Sequence, residues 1–201
     1  MAMKNLKNLG IILVVAAMTN IACNNSNRND SLERAETMND STAQVNADDA
    51  SFAVHAADLN MSTIELSNVA ESRVRDARLK AIASTLHDEH ESAHAELAQI
   101  SSNKRITLPM SLSGDRRDDV RDLQERDTTN FDRNYLDRLI DQHEEARKLY
   151  EDASNDVRDA ELQAFAAKHL PIIKRHEEQL KSIWDSLGYE RNMPNVVPAT
   201  Q

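Results

Sequence analysis

From Ser51 to Leu187 apolar residues recur every three or four positions, and only Gly114, Pro109 and Pro171 supply strong turn signals along the way. Strands of a sandwich or barrel need a turn every eight to twelve residues or so, and this chain lacks the residues to make them. With 3 Gly, 4 Pro and 3% aromatics in 201 residues, β architectures are disfavoured. The spacing instead predicts an all-α chain built as a bundle of four long helices.

The first helix starts near Ser51, with Asp48, Asp49 and Ser51 as N-cap choices, and its stripe is Phe52, Ala56, Leu59, Leu66 and Ala70. The second, about Val74 to Ser101, aligns Leu79, Ile82, Leu86, Ala93, Leu97 and Ile100. The pattern then breaks at Asn103–Ser113, where Leu108-Pro109 imposes an extended dipeptide. Ser113–Glu125 has only Val120 and Leu123 as anchors, which reads as a short extra helix in the crossover. The third main helix runs from about Thr129 to Ser154 on Phe131, Tyr135, Leu139, Ala146, Tyr150 and Ala153. The fourth, Val157 to Leu187, points Leu162, Phe165, Ile172, Leu180, Ile183 and Leu187 inward and stops at Gly188. Pro171 should kink or split it near His169. Trp184 falls at the bundle boundary, and the sequence shows no internal repeat.

Ahead of the helices lies an address. Residues 1–22 carry Lys4 and Lys7 before an apolar stretch, Leu9–Met18, which has the size of a signal-peptide core and falls short of a membrane span. The single cysteine, Cys23, follows the small residue Ala22 where a lipoprotein signal would be cut, although Asn20 stands where Leu is usual. Cys23 is therefore expected to be lipidated, and the membrane to be a partner through that anchor. One cysteine also excludes an internal disulfide and any Cys-rich metal cluster. Residues 24–50 are polar, rich in Asn, Asp and Ser, and read as a tether between anchor and body. The body is residues 51–188, and 189–201, with two prolines, reads as a loose tail. The 34 acidic residues against 24 basic ones give −10, or −12 without the signal, which argues against nucleic acid as a partner.

The informative residues are the histidines. At about 100° per residue, His90 lies within about 40° of the apolar stripe of its helix, and His143 lies equally close on the third. On the fourth, His176 sits between Ile172 and Leu180, with His169 one heptad earlier on nearly the same line. Glu91 points away, so the Glu91-x-x-His94 spacing does not build an inward ligand pair. A single buried histidine is ordinarily a hydrogen-bonded packing residue. Three, from three helices, leave several buried nitrogens to satisfy, and neutral imidazole is the common nitrogen ligand of Fe, Cu and Zn.

These motifs carry a resemblance. ELSNVA at Glu65–Ala70, DEH at Asp88–His90 and ITLP at Ile106–Pro109 come first in the chain. FDRNYLDRLIDQHEEA at Phe131–Ala146 and FAAKHLPIIKRH at Phe165–His176 follow. In this order they resemble the exported ferritin-like bacterial proteins grouped as domain of unknown function 4142. The resemblance implies a ferritin-like four-helix bundle with His90, His143 and His176 as motif histidines, and it implies no activity. Relatives carry Glu where this chain has Thr63, while the neighbouring acid is kept as Glu65, which joins His169 as a further candidate ligand.

No phosphate loop, Gly-x-Ser-x-Gly or His-Glu-x-x-His motif occurs. The sequence thus favours a non-enzymatic, lipid-anchored envelope protein whose bundle binds a transition metal (Fe, Mn, Cu or Zn) or an envelope protein partner. The anchor is expected in the outer membrane, facing the periplasm. Two alternatives stand beside it. One is a metallo-oxidoreductase handling O₂ or peroxide, weakened by Ile173 standing three before His176 where a Glu-x-x-His needs an acid. The other is a pH-responsive envelope protein whose buried neutral histidines loosen the core in acid.

Overall fold

A computed structural model describes residues 30–125 and 130–189. The signal segment, Cys23, the first part of the expected tether and nearly all of the tail lie outside these residues. Among the described residues there are six helices and no strand: α1 (Ser31–Thr42), α2 (Ala47–Arg73), α3 (Ala77–Asn103), α4 (Gly114–Glu125), α5 (Phe131–Asp156) and α6 (Ala160–Ser186). No described helix is long and apolar enough to cross a membrane.

The four long helices are α2, α3, α5 and α6. Three start at a side-chain cap: Asn46 accepts from the Asp49 amide, Asp76 from Arg78 and Leu79, and Asp159 from Glu161 and Leu162. α2 pairs with α3, and α5 with α6, across three-residue turns, and the two hairpins close a square through α2–α5 and α3–α6 contacts. α3 and α5 share a diagonal and run parallel, joined by the long crossover that contains α4. That helix packs on α2 and α5 through Val120 and Leu123.

The two hairpins repeat one another, contrary to the expectation of no repeat. Val74-Arg75-Asp76-Ala77 and Val157-Arg158-Asp159-Ala160 form the two turns, each with Val as C-cap and Asp as N-cap. A carboxylate from the opposite hairpin clasps each turn. Buried Asp49 accepts from the amides of Arg158 (3.0 Å) and Asp159 (2.8 Å), and Asp132 accepts from Arg75 (3.1 Å) and Asp76 (2.8 Å). Asp49 to Asp132, Val74 to Val157 and Asp76 to Asp159 share one offset along the chain.

Three further expectations need correction. The tether does not extend to residue 50. α2 begins at Ala47, and α1 is a docked helix. Asn39 clasps the backbone of Thr107 with both amide atoms (2.9 and 2.7 Å), Ser31 Oγ accepts from Met110 (2.9 Å), and Asp30 accepts from Gly114 (2.7 Å). Pro171 does not split α6, which is continuous over Ala160–Ser186. On that helix Leu162, Phe165 and Leu180 are buried as expected, whereas Ile172 and Ile183 are half-buried and their neighbours Ile173 and Trp184 take the inward places. Gly188, at φ +66°, ends the helix as expected. At the end of α3 the left-handed position falls to Arg105 (φ 55°).

The core has two apolar halves. One gathers Phe52, Leu59, Leu97, Tyr150, Phe165 and Ile173, and the other Leu66, Leu86, Tyr135, Leu139, Leu180 and Trp184. Between them runs a polar layer to which each long helix contributes one residue: Asn60, His90, His143 and His176. Every one is flanked along its helix by core residues: Leu59 and Leu66, Leu86 and Ala93, Ile140 and Ala146, Ile173 and Leu180.

Candidate metal centre

Helical phase points the three histidines inward, and the docking of the two hairpins sets them at the same depth of the bundle. Their ring centroids form a nearly equilateral triangle: 5.4 Å from His90 to His143, 5.5 Å from His143 to His176 and 5.6 Å from His90 to His176. All three are buried, and one nitrogen of each lies within 4.8 Å of one nitrogen of both others.

The hydrogen bonds decide which nitrogen of each ring keeps its lone pair. His90 Nδ1 lies 2.8 Å from Asn60 Oδ1, and His143 Nδ1 lies 2.8 Å from the Leu139 carbonyl. His176 Nε2 lies 2.8 Å from Glu89 Oε2. Amide oxygen, carbonyl and carboxylate only accept, so each of these ring nitrogens carries the proton and donates it. Each neutral ring is left with a lone pair on its other nitrogen: Nε2 of His90, Nε2 of His143 and Nδ1 of His176. Those three atoms are buried and have no hydrogen-bond partner. An outer acceptor that fixes the tautomer and frees the inner nitrogen is the usual support of a metal-ligating histidine.

Electrostatics keep the rings in their ligating form. Burial pushes His90 well below the ordinary imidazole range, reinforced by His143, His176 and His169. Burial, with His176 next, holds His143 down to about 3, against the bond to Leu139. Burial lowers His176 too, and Glu89 opposes it. A proton is thus a poor occupant for the centre of the triangle. A tetrahedral ion with M–N bonds of 2.0–2.1 Å would set the nitrogens about 3.3 Å apart, so the rings need to close in by about 1 Å each or less.

The other candidate ligands lie elsewhere. Glu65 is exposed on the outer side of α2 and does not belong to the cluster. Its neighbour Thr63 is buried, but its hydroxyl donates to the Leu59 carbonyl (3.1 Å) and accepts from Gln142 Nε2 (3.0 Å). His169 is buried, yet two turns along α6 from His176. Its Nε2 donates to Glu96 (3.0 Å), and its ring packs on Phe165 with centroids 4.4 Å apart. His87 and His94 are half-buried at the helix edge, and Glu91 is exposed, as the helical phase predicts.

The supporting residues were not visible in the sequence reading. Glu89 and Glu96 are spaced like His176 and His169, and each carboxylate also takes a cation next to its histidine, Arg175 (2.5 Å) and Lys168 (2.7 Å). That heptad echo on α3 and α6 was the available signal, but partly exposed acids on a charged helix look like surface. Asn60 gave none beyond its place on the α2 stripe.

No curated protein matches the chain. Among solved structures it is similar to a DUF305 fragment from Deinococcus radiodurans, with a TM-score of 0.63 at 11% identity. The match covers 71% of this chain and 98% of that one, and it shows a shared fold. The family described as domain of unknown function (DUF4142) matches residues 34–183, a span that starts inside α1 and includes all three histidines. The chain therefore belongs to the DUF4142 family.

Proposed function

We propose that this protein is a lipid-anchored envelope protein with a ferritin-like bundle that binds one transition-metal ion through His90, His143 and His176. The observation that carries the metal reading is the set of three buried, unpartnered ring nitrogens, one per helix, each freed by an outer acceptor. Leaving them bare forfeits three hydrogen bonds in a low-dielectric core, and a cation of matching size recovers all three. The donor set is all nitrogen, which suits Zn, Cu or Fe and is poor for Mn, an ion that favours oxygen. Two hairpins joined by one long crossover are the connectivity of ferritin-like bundles, which supports that assignment.

A carboxylate-bridged oxidase centre fits the residues less well. It needs Glu from two helices and a Glu-x-x-His from each of the other two. Here Thr63 is engaged with Gln142, and Glu65 faces outward. The anchor at Cys23 and a periplasm-facing outer-membrane address rest on the sequence alone. Radiolabelled palmitate incorporated into the parent and absent from Cys23→Ser tests the anchor, and equal labelling would end that part of the reading. Metal content of the untagged protein, before and after His90/His143/His176→Leu, tests the rest.

A further inference from the structure

A small cavity of about 10 Å³ lies against the triad, lined by His90, His176, Asn60, Ala93, Tyr150 and Ile173 among others. It holds about one water-sized sphere. Asn60 stands at its wall on α2, 2% exposed, and is half used: Oδ1 accepts from His90, while Nδ2 is buried with no acceptor. Asn60 and His143 hold equivalent places in the two hairpins, so the fourth helix brings a donor to the layer where the other three bring lone pairs. Three histidine ligands leave a metal ion with an open coordination position. Neutral ligands also leave the ion's charge uncompensated in an apolar core.

We propose that this cavity holds a single-atom anion, a halide or hydroxide, which fills the open side of the triad's metal and accepts a hydrogen bond from Asn60 Nδ2. The inference rests on the metal reading above. Ala93 and Ile173 supply apolar wall, and the lining histidine His169 is committed to Glu96. Glu89 is the negative group at the rim, and its charge is paired with Arg175 at 2.5 Å while its Oε2 is taken by His176. An anion therefore meets the Asn60 amide, with the Tyr150 hydroxyl beside it, inside and a neutralised carboxylate at the edge.

The test loads the full chain with Cu²⁺ in chloride-free buffer, confirms one equivalent by elemental analysis, and titrates chloride while following chloride-to-copper charge-transfer absorption. Saturable one-to-one binding is expected in the parent. Ala93→Leu fills the cavity without touching a ligand, and should abolish the chloride band at unchanged copper content. Asn60→Leu, compared at matched copper occupancy, should weaken chloride at least tenfold. A parent that takes no copper overturns this inference, and one that also declines Zn and Fe overturns the metal centre with it. A copper-loaded parent blind to chloride, or either variant binding chloride like the parent, overturns the anion site alone.

Discussion

Replacing His143 with Leu should make the metal-free protein more stable, not less. His143 is 1% exposed, its Nε2 has no partner, and its Nδ1–H donates to the Leu139 carbonyl. A buried unsatisfied nitrogen costs about 1–3 kcal/mol, and the bond given up is worth about 1 kcal/mol. Leu is close in volume to His and lands between apolar halves that include Leu139, Ile140 and Leu180. The balance is a gain of about 0–2 kcal/mol, or roughly 0–8 °C in Tm for a domain of this size. In saturating metal the sign reverses: the parent gains about 2.7 kcal/mol at a hundredfold excess over Kd, and the variant gains far less. Urea unfolding followed by circular dichroism, with EDTA and then with Zn²⁺, reads both. A variant destabilised by more than about 1 kcal/mol in EDTA would refute the reasoning, because it would make His143 a satisfied packing residue.

The same burial sets a pH dependence for the metal-free protein. In the folded state burial lowers all three rings, His143 to about 3, whereas the unfolded chain protonates them below about 6.5, so stability is full above that pH and falls as pH drops below it. The slope approaches about 1.4 kcal/mol per pH unit per histidine, and urea midpoints that do not move between pH 7 and 5 would contradict it. Asn39→Ala removes both bonds to Thr107 and should free α1 at a cost of about 1–3 kcal/mol. Amide exchange should then quicken across residues 31–42 while α2–α6 stay protected; unchanged α1 protection would show that other contacts hold it. Asp49→Ala and Asp132→Ala each unclasp one turn, at opposite ends of the bundle. Loss of buried Asp49 should cost about 2 kcal/mol in urea and loss of half-buried Asp132 about 1 kcal/mol, and no loss in either would show that the clasps do not hold the turns.

The four long helices and the inward aim of His90, His143 and His176 were legible because both depend on period alone. A stripe such as Leu79, Leu86, Leu97 fixes which way its helix faces, and a histidine on that stripe must follow. α1 was not legible, because Asn39, Ser31 and Asp30 dock it through hydrogen bonds to loop backbone, and a polar contact leaves no apolar pattern. On α6, Ile172 and Ile173 are adjacent and both apolar, so hydropathy could not set the phase; packing chose Ile173. Glu65 followed a motif and not a face, and the fold leaves it exposed. The hairpin repeat escaped because it survives mainly in the turns, around Val74-Arg75-Asp76 and Val157-Arg158-Asp159, where an aspartate must cap and be clasped. Depth was beyond the sequence altogether. That His90, His143 and His176 meet at one level, while His169 sits two turns away against Glu96, follows from how the hairpins dock.

The most direct test is the metal content of the full chain, purified without a histidine tag, beside the His90/His143/His176→Leu variant. The account predicts close to one equivalent of Zn, Cu or Fe in the parent, or its uptake on titration, and none in a variant that stays folded. A parent that comes out metal-free and declines all three ions, or a triple variant that binds as the parent does, would contradict it.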